Sequence, residues 1–350
     1  MLSRKTLVCL FSLVWLFGCA SSEKTQSRKD APAEGVSENA VSEEVVSEEA
    51  SSEEAISETV VSDTASFVAP QHARHMLWQV SDSNSSVYLL GSVHFADPTF
   101  YPLDTAITNA FGRSDELAVE LDMSDTAVFM EIARQSEQRG KLKEGQSLAQ
   151  ILPKKLKKQL DSICASWYLA PEVLYGFKPW SAAMTLSSVA IMRLGFDPNL
   201  GIDFYFLRSA QESKKKVVSL ESAEDQIAVL VGEGLPDSLG IYYLKSTLGQ
   251  MKLMDSSVTL MMGAWVKGDD SLFREAMYME PVGVATDSLL DAQIEDLVYI
   301  SRNRNMADSV ASFLAQDRKV FVVVGAAHMA GKGDNVLKLL RDKGFTVEQK

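Results

Sequence analysis

Residues 36–65 are built from five-residue units, VSENA, VSEEV, VSEEA, SSEEA, ISETV and VSDTA. A period of five matches neither the 3.6-residue turn of a helix nor the two-residue alternation of a strand. The array has no aromatic residue and its carboxylates repel one another. It cannot bury enough apolar surface to offset its ordering entropy, so it predicts a disordered tether. As a coil, residues 20–66 would span roughly 40 Å, and more when stretched by their own charge. Calcium binding by the acidic run is the weaker reading. Folding is thereby confined to Phe67–Lys350, long enough for a sizeable core.

Charge follows the same division. Residues 20–66 hold 12 acidic and 3 basic side chains, which is -9 of the net -13. The folded stretch is only mildly acidic. Nothing in this balance offers a basic face, so nucleic acid is excluded as the main partner.

The first residues, MLSRKTLVCLFSLVWLFGC, join a basic start to an apolar run from Thr6 to Phe17. The run is too short to span a bilayer as a helix and suits an export signal. Its end, Leu16-Phe17-Gly18-Cys19, resembles the lipobox of bacterial lipoproteins. That resemblance implies cleavage after residue 18, acylation of Cys19, and anchoring in the lipid bilayer of the cell envelope. Ala20 after the cysteine would favour the outer membrane in a Gram-negative host. The competing reading is an ordinary cleaved signal with an incidental cysteine. With Cys9 and Cys19 in the leader, only Cys164 is left in the body and a disulfide framework is excluded. Cys164 reads as a small buried apolar residue.

In the body, Leu77–Val80 and Val87–Gly91 read as strands of a hairpin around a polar turn. Glu116–Leu121, Lys216–Leu220, Val320–Gly325 and Phe345–Val347 read as four more. Between them the pattern is helical. Pro153 opens a helix carrying Leu156, Leu160 and Ile163, Trp180–Leu194 is apolar, and Asp287–Ala315 is one long helix or two. Met251, Met254, Met261 and Met262 fall at helical spacing and read as core. Strands at both ends with helices between predict an α/β fold, a mixed sheet flanked by helices. Residues from about 124 to 200 show no strand and predict a helical insertion capping one end of the sheet.

No HExxH, GxSxG, P-loop or CxxC string is present. The four histidines carry the signal. His72 and His75 adjoin the tether in a polar segment and read as surface residues. His94 and His328 each follow a glycine by three, in Gly91-Ser92-Val93-His94 and Gly325-Ala326-Ala327-His328. With 20 glycines in 350 residues, chance gives two such hits among four histidines about 2% of the time. Both motifs end a predicted strand, the edge where α/β sheets bind ligands. Glycine there permits a sharp turn and leaves room. If the strands are neighbours, the histidines converge in a cleft at the strand ends. Glu120 ends its own strand in an apolar run and needs a partner; Asp122 has the same parity. Two imidazoles and a carboxylate suit a divalent metal with an open water position. The plainer alternative is histidines bonded to carbonyls and Glu120 paired with an arginine. Arg302 is a bidentate clamp suited to an oxyanion, or else part of a solvated helix face, as Arg304 reads.

An ordered set of motifs now carries a resemblance. Leu77-Trp78-Gln79-Val80, Tyr88-Leu89-Leu90-Gly91-Ser92-Val93-His94, Pro102-Leu103, Ala110-Phe111, Ser114-Asp115 and Glu120-Leu121-Asp122 resemble the opening of the TraB/GumN family. Tiki proteins and the pheromone-shutdown protein PrgY belong to that family. Lys178-Pro179-Trp180, Gly201-Ile202-Asp203, Leu220-Glu221, Gln226, Arg302-Asn303 with Met306-Ala307, and the second GxxH follow in order. The resemblance spans about residues 75–348. It implies an erythromycin-esterase-related α/β fold and a site of His94, His328, Glu120 and Arg302. Asp203, Asn303 and Asp122 would support that site, and Gly91 and Gly325 would form its turns. Tiki proteins are described as divalent-metal-dependent peptidases, so His94, Glu120 and His328 would hold manganese, cobalt or zinc. The esterase relatives imply instead a histidine base without metal. The expectation is an exported, lipid-anchored hydrolase acting on a peptide or small molecule. A non-catalytic envelope lipoprotein that sequesters a peptide or haem is the other class.

Overall fold

The computed structural model describes residues 74–350. The leader, Cys19, the tether and His72 lie outside the described residues. Six strands form one mixed sheet: β1 (Leu77–Ser81), β2 (Ser86–Ser92), β3 (Glu116–Val119), β4 (Lys216–Ser219), β5 (Val320–Gly325) and β6 (Thr346–Gln349). Their order is β4-β3-β5-β2-β1-β6.

The β1–β2 hairpin is antiparallel, and its turn is closed by Asp82, whose carboxylate accepts from the Asn84 and Ser85 amides. β2, β5, β3 and β4 run parallel to one another, so four strands end on the same edge. β5 is buried at every position, as its unbroken Val and Phe run requires of a central parallel strand. Phe321 of β5 packs with Phe111 and Phe206, ring centroids 5.6 and 4.9 Å away, which seats the helices Thr105–Gly112 and Ile202–Ser213 on the sheet.

Helices fill the rest. The helix Lys154–Ser166 buries Leu156, Leu160 and Cys164, with Pro153 as its cap residue. The helix Pro179–Arg193 stacks Trp180 on Tyr243 of Asp237–Gln250 at 4.2 Å, and the indole N–H donates to the Val229 carbonyl. Met254, Met261 and Met262 are buried core. A second helical stretch, Ala223 to Ala315, separates β4 from β5 and is longer than the stretch before Leu200. Ser288–Glu295 and Ser301–Ala315 are joined without a break by a π-helical turn, Asp296–Ile300. Among the described residues no helix is long and apolar enough to cross a membrane.

His75 corrects its sequence reading. It is only 5% exposed. Its amide donates to the Lys350 carbonyl, because β1 is an interior strand covered by the C-terminal β6. Polar neighbours in sequence hid that partner.

Candidate active site

The parallel register sets the two GxxH turns side by side, Gly91 opposite Val324 and Ser92 opposite Gly325. A β-carbon on Gly91 would stand 3.0 Å from the Ala326 Cα, so only glycine lets the turns approach this closely. A β-carbon on Gly325 would stand 3.2 Å from Glu120 Oε1, 3.6 Å from His94 Nε2 and 3.7 Å from His328 Cδ2. The two histidines and the glutamate therefore converge on one point at the ends of β2, β3 and β5.

Each ring is oriented from behind. Asp203, in the first turn of its helix, has Oδ2 at 2.7 Å from His94 Nδ1 and accepts the Ser92 hydroxyl on Oδ1 at 2.7 Å. Burial pushes the His94 imidazole down, but the Asp203 carboxylate outweighs it and holds the ring above its ordinary value. Asn303 fixes the other ring. Its Nδ2 donates to the Asp334 carbonyl at 2.9 Å, so its Oδ1, 2.6 Å from His328 Nδ1, must be the acceptor. His328 thus carries its proton on Nδ1 and turns the Nε2 lone pair toward Glu120 Oε1, 3.5 Å away. That nitrogen has no hydrogen-bond partner among the described residues. Burial drives His328 down to about 3, keeping it neutral.

Glu120 is fully engaged. Oε1 accepts the Gly325 amide at 2.7 Å and Oε2 accepts Arg302 Nη2 at 2.7 Å. Burial raises its carboxyl, yet the surrounding positive groups and the Gly325 amide win and hold it at about 2. Near neutrality Arg302 is the cause that counts, since His328 is uncharged there. Arg302 also grips Glu221 through Nε and Nη2, both at 2.7 Å, and donates Nη1 to the Val298 carbonyl of the π-turn. Burial lowers the guanidinium and the two carboxylates more than reverse this, raising it well above its usual value. Arg302 is the shared counter-ion of two buried carboxylates rather than an idle oxyanion clamp. Arg304, as expected, lies on the solvated face and meets Asp334.

Glu221 and Gln226 had no assigned role in the sequence, although both fall in quoted motifs. Glu221 follows β4 as Glu120 follows β3, and that repetition of a glutamate just past a strand was the available signal. Gln226 Nε2 donates to Glu221 at 2.6 Å and to Glu120 Oε2 at 3.3 Å. Burial, opposed by Arg302, raises the Glu221 carboxyl. Tyr299 meets the His328 ring edge-on at 5.3 Å.

Two expectations are corrected. Asp122 does not join the site: β3 ends at Val119, strand parity lapses, and its carboxylate turns back to accept the Ser124 amide. Nor is the cleft open, since His94 is 4% and His328 0% exposed. The helices bearing Asp203, Gln226 and Arg302 roof the strand ends. Beside Glu120 and Asp203 lies a small, water-sized void walled by Met123, Ile132, Leu207 and Leu230.

The donor types suit a borderline divalent ion and the arrangement does not. Both Glu120 oxygens are taken, and no group of three or more His, Cys, Asp or Glu side chains among the described residues is gathered to hold a metal. No step is therefore assigned to an ion.

Comparison with known proteins agrees in extent with this architecture. YbaP of Escherichia coli K12, uncharacterized, is 24% identical over 277 residues, 78% of this chain and 96% of that protein. YbaP of Shigella flexneri matches to the same degree. An uncharacterized protein of Treponema pallidum is 21% identical over 159 residues, 45% of this chain and 47% of the relative. No solved structure matches. Residues 76–349, which include every strand and every residue of the site, match the TraB/PrgY/gumN family, and the chain belongs to it.

Proposed function

We propose that the chain is a hydrolase of peptide or ester bonds, with water activated between His94, His328 and Glu120. The observation that supports this is the convergence of His94 Nε2, Glu120 Oε1 and the edge of the His328 ring on the space a Gly325 side chain would fill. His94 Nε2, facing that space, and the buried His328 Nε2 beside Glu120 suit a molecule that brings its own protons. Water donates one hydrogen to His94 Nε2 and the other toward His328 Nε2. As its oxygen attacks the acyl carbon, His94 takes the first proton, and the Asp203 carboxylate stabilises the imidazolium. The same proton then passes to the leaving nitrogen or oxygen as the C–N or C–O bond breaks. The products are a carboxylic acid and an amine or alcohol. Arg302 keeps Glu120 ionised while this happens.

A divalent-metal-dependent peptidase is the second reading. It is favoured by His328 Nε2, a buried acceptor facing a carboxylate. It requires Glu120 to leave the Gly325 amide or Arg302. Turnover of peptide and ester libraries, with and without a chelator and with added Mn²⁺, Co²⁺ or Zn²⁺, separates the two. Chelation leaves the rate unchanged in the first and abolishes it in the second. A protein that binds a peptide or haem and never turns it over would end both.

We further propose that Cys19 carries the acyl chains that anchor the protein to the envelope membrane. Each buried methylene contributes about 0.8 kcal/mol, so two chains hold stably where one does not. Cys19→Ser should release the protein from the membrane fraction or stall its maturation. Unchanged fractionation and processing would refute the anchor.

A further inference from the structure

The helix Lys154–Ser166 opens on KKLKK, a dense run of positive charge in a chain of net charge -13. Leu156, Leu160 and Cys164 face the core. The helical period then sets Lys154, Lys158, Ser162 and Ala165 on the opposite side with Lys155 beside them, and all five are exposed. The helix's acid, Asp161, is held at its flank by Lys157 Nζ and the Tyr175 hydroxyl, each at 2.6 Å. The outward stripe thus presents three lysines and no carboxylate. The helix ends in a Schellman turn, in which the Tyr168 amide donates to the Ala165 carbonyl at 3.1 Å and the Leu169 amide to the Cys164 carbonyl at 2.9 Å. Tyr168 has φ 58°, the left-handed conformation that glycine normally supplies at this point, yet its side chain is 97% exposed. Trp167 is half-buried, with the exposed Arg193 guanidinium 5.6 Å from its ring, and Val173 is 57% exposed just beyond. Glu172 is the one exposed acid between residues 153 and 173.

A side chain so exposed adds nothing to the core, while its β-carbon strains the left-handed backbone. Folding alone would put glycine or asparagine there. A tyrosine in that place fits an outside surface that takes up an aromatic ring with a polar tip. The lysines define that surface. Mobile ammonium point charges suit a diffuse anionic layer, whereas a discrete carboxylate or phosphate favours the planar fork of arginine. Lysines along an exposed helix face, with aromatic and aliphatic side chains at its end, match the charge and polarity of a membrane interface. We propose that the outward face of Lys154–Ser166 and the turn through Val173 lie on an anionic phospholipid surface. The three lysines sit among the headgroups, and Tyr168 and Val173 reach the boundary with the acyl chains. This contact depends neither on acylation of Cys19 nor on the chemistry assigned to the GxxH histidines.

The test adds the full-length protein to vesicles of phosphatidylcholine alone and of phosphatidylcholine mixed with phosphatidylglycerol, and follows amide hydrogen exchange over residues 154–173. An acyl anchor would hold the protein to both kinds of vesicle, so only headgroup charge differs between them. Exchange should slow at least about tenfold on the anionic vesicles, each lysine near such a surface favouring contact about fivefold. The slowing should vanish near 1 M salt, where the screening length falls to about 3 Å. Lys154→Gln, Lys155→Gln and Lys158→Gln combined should melt with the parent and abolish the slowing. Tyr168→Gly should melt above the parent, because glycine relieves the left-handed strain, and lose part of the slowing. Equal exchange on the two vesicles would overturn the proposal, as would slowing that survives high salt or the combined lysine changes. So would a Tyr168→Gly variant that keeps the full slowing. Slowing by poly-glutamate with none on anionic vesicles would assign the face to an acidic protein and overturn the membrane contact.

Discussion

Replacing His94 by glutamine should lower hydrolytic turnover by a factor of 100 or more while leaving the protein folded. The factor is the scale for a lost general base. Glutamine approximates the volume of the ring and retains a donor for Asp203, so no large cavity and no bare carboxylate are left behind. His328→Gln should behave similarly in activity. It is the harsher change for stability, because His328 is fully buried and holds the Asn303 amide. If the two rings were only structural, the pattern would invert: an earlier melt, and full activity among the molecules still folded. Thermal melts beside turnover on parent and variants distinguish these outcomes.

Arg302→Met should be the most destabilising single change at the site. It strips the cation from between Glu120 and Glu221, whose side chains are 8% and 3% exposed. Breaking a buried ion pair on one side costs about 3–5 kcal/mol, which in a body of this size lowers the melting temperature by roughly 10 °C. The pH dependence gives a second signature. In the parent, Glu120 is held at about 2, below its unfolded value, so it contributes stability above pH ~4.5 that is lost as pH falls toward 2. In the variant the bare carboxylates are raised instead. Their penalty is present above the raised value and shrinks as pH falls and one of them takes a proton. The gap between variant and parent should therefore narrow on mild acidification. A variant that melts within about 2 °C of the parent at pH 7 would show that the triad does not carry this stability.

Much of this was written locally in the chain. Val320–Gly325 reads as a buried strand and is one from end to end, because six apolar or small residues in a row leave no alternative face. The β1–β2 hairpin is legible from its polar turn, and the GxxH pair from glycine spacing at strand ends. What escaped the sequence arrives from far away in it. His75 is covered by a strand 270 residues on, so its polar neighbours misled. The closed roof over His94 and His328 is made by helices whose packing leaves no local mark. Asp122 failed for a different reason: alternation is a property of strand geometry, and the strand stops at Val119 so that Glu120 can turn to Arg302. Glu221 was visible as a motif residue, but its role depends on β4 lying beside β3, a pairing that spans about a hundred residues of intervening helix.

The most direct measurement is the pH profile of hydrolysis by the parent and by Asp203→Asn, on whichever ester or peptide the libraries yield. Asp203 raises the His94 value above its ordinary 6.5, and a base acts only when deprotonated, so turnover should climb with pH along a limb centred above 6.5. Removing the carboxylate's charge should move that limb to lower pH and cut the maximal rate. A limb that stays in place in Asp203→Asn, or a parent that hydrolyses none of these substrates, would contradict water activation by His94.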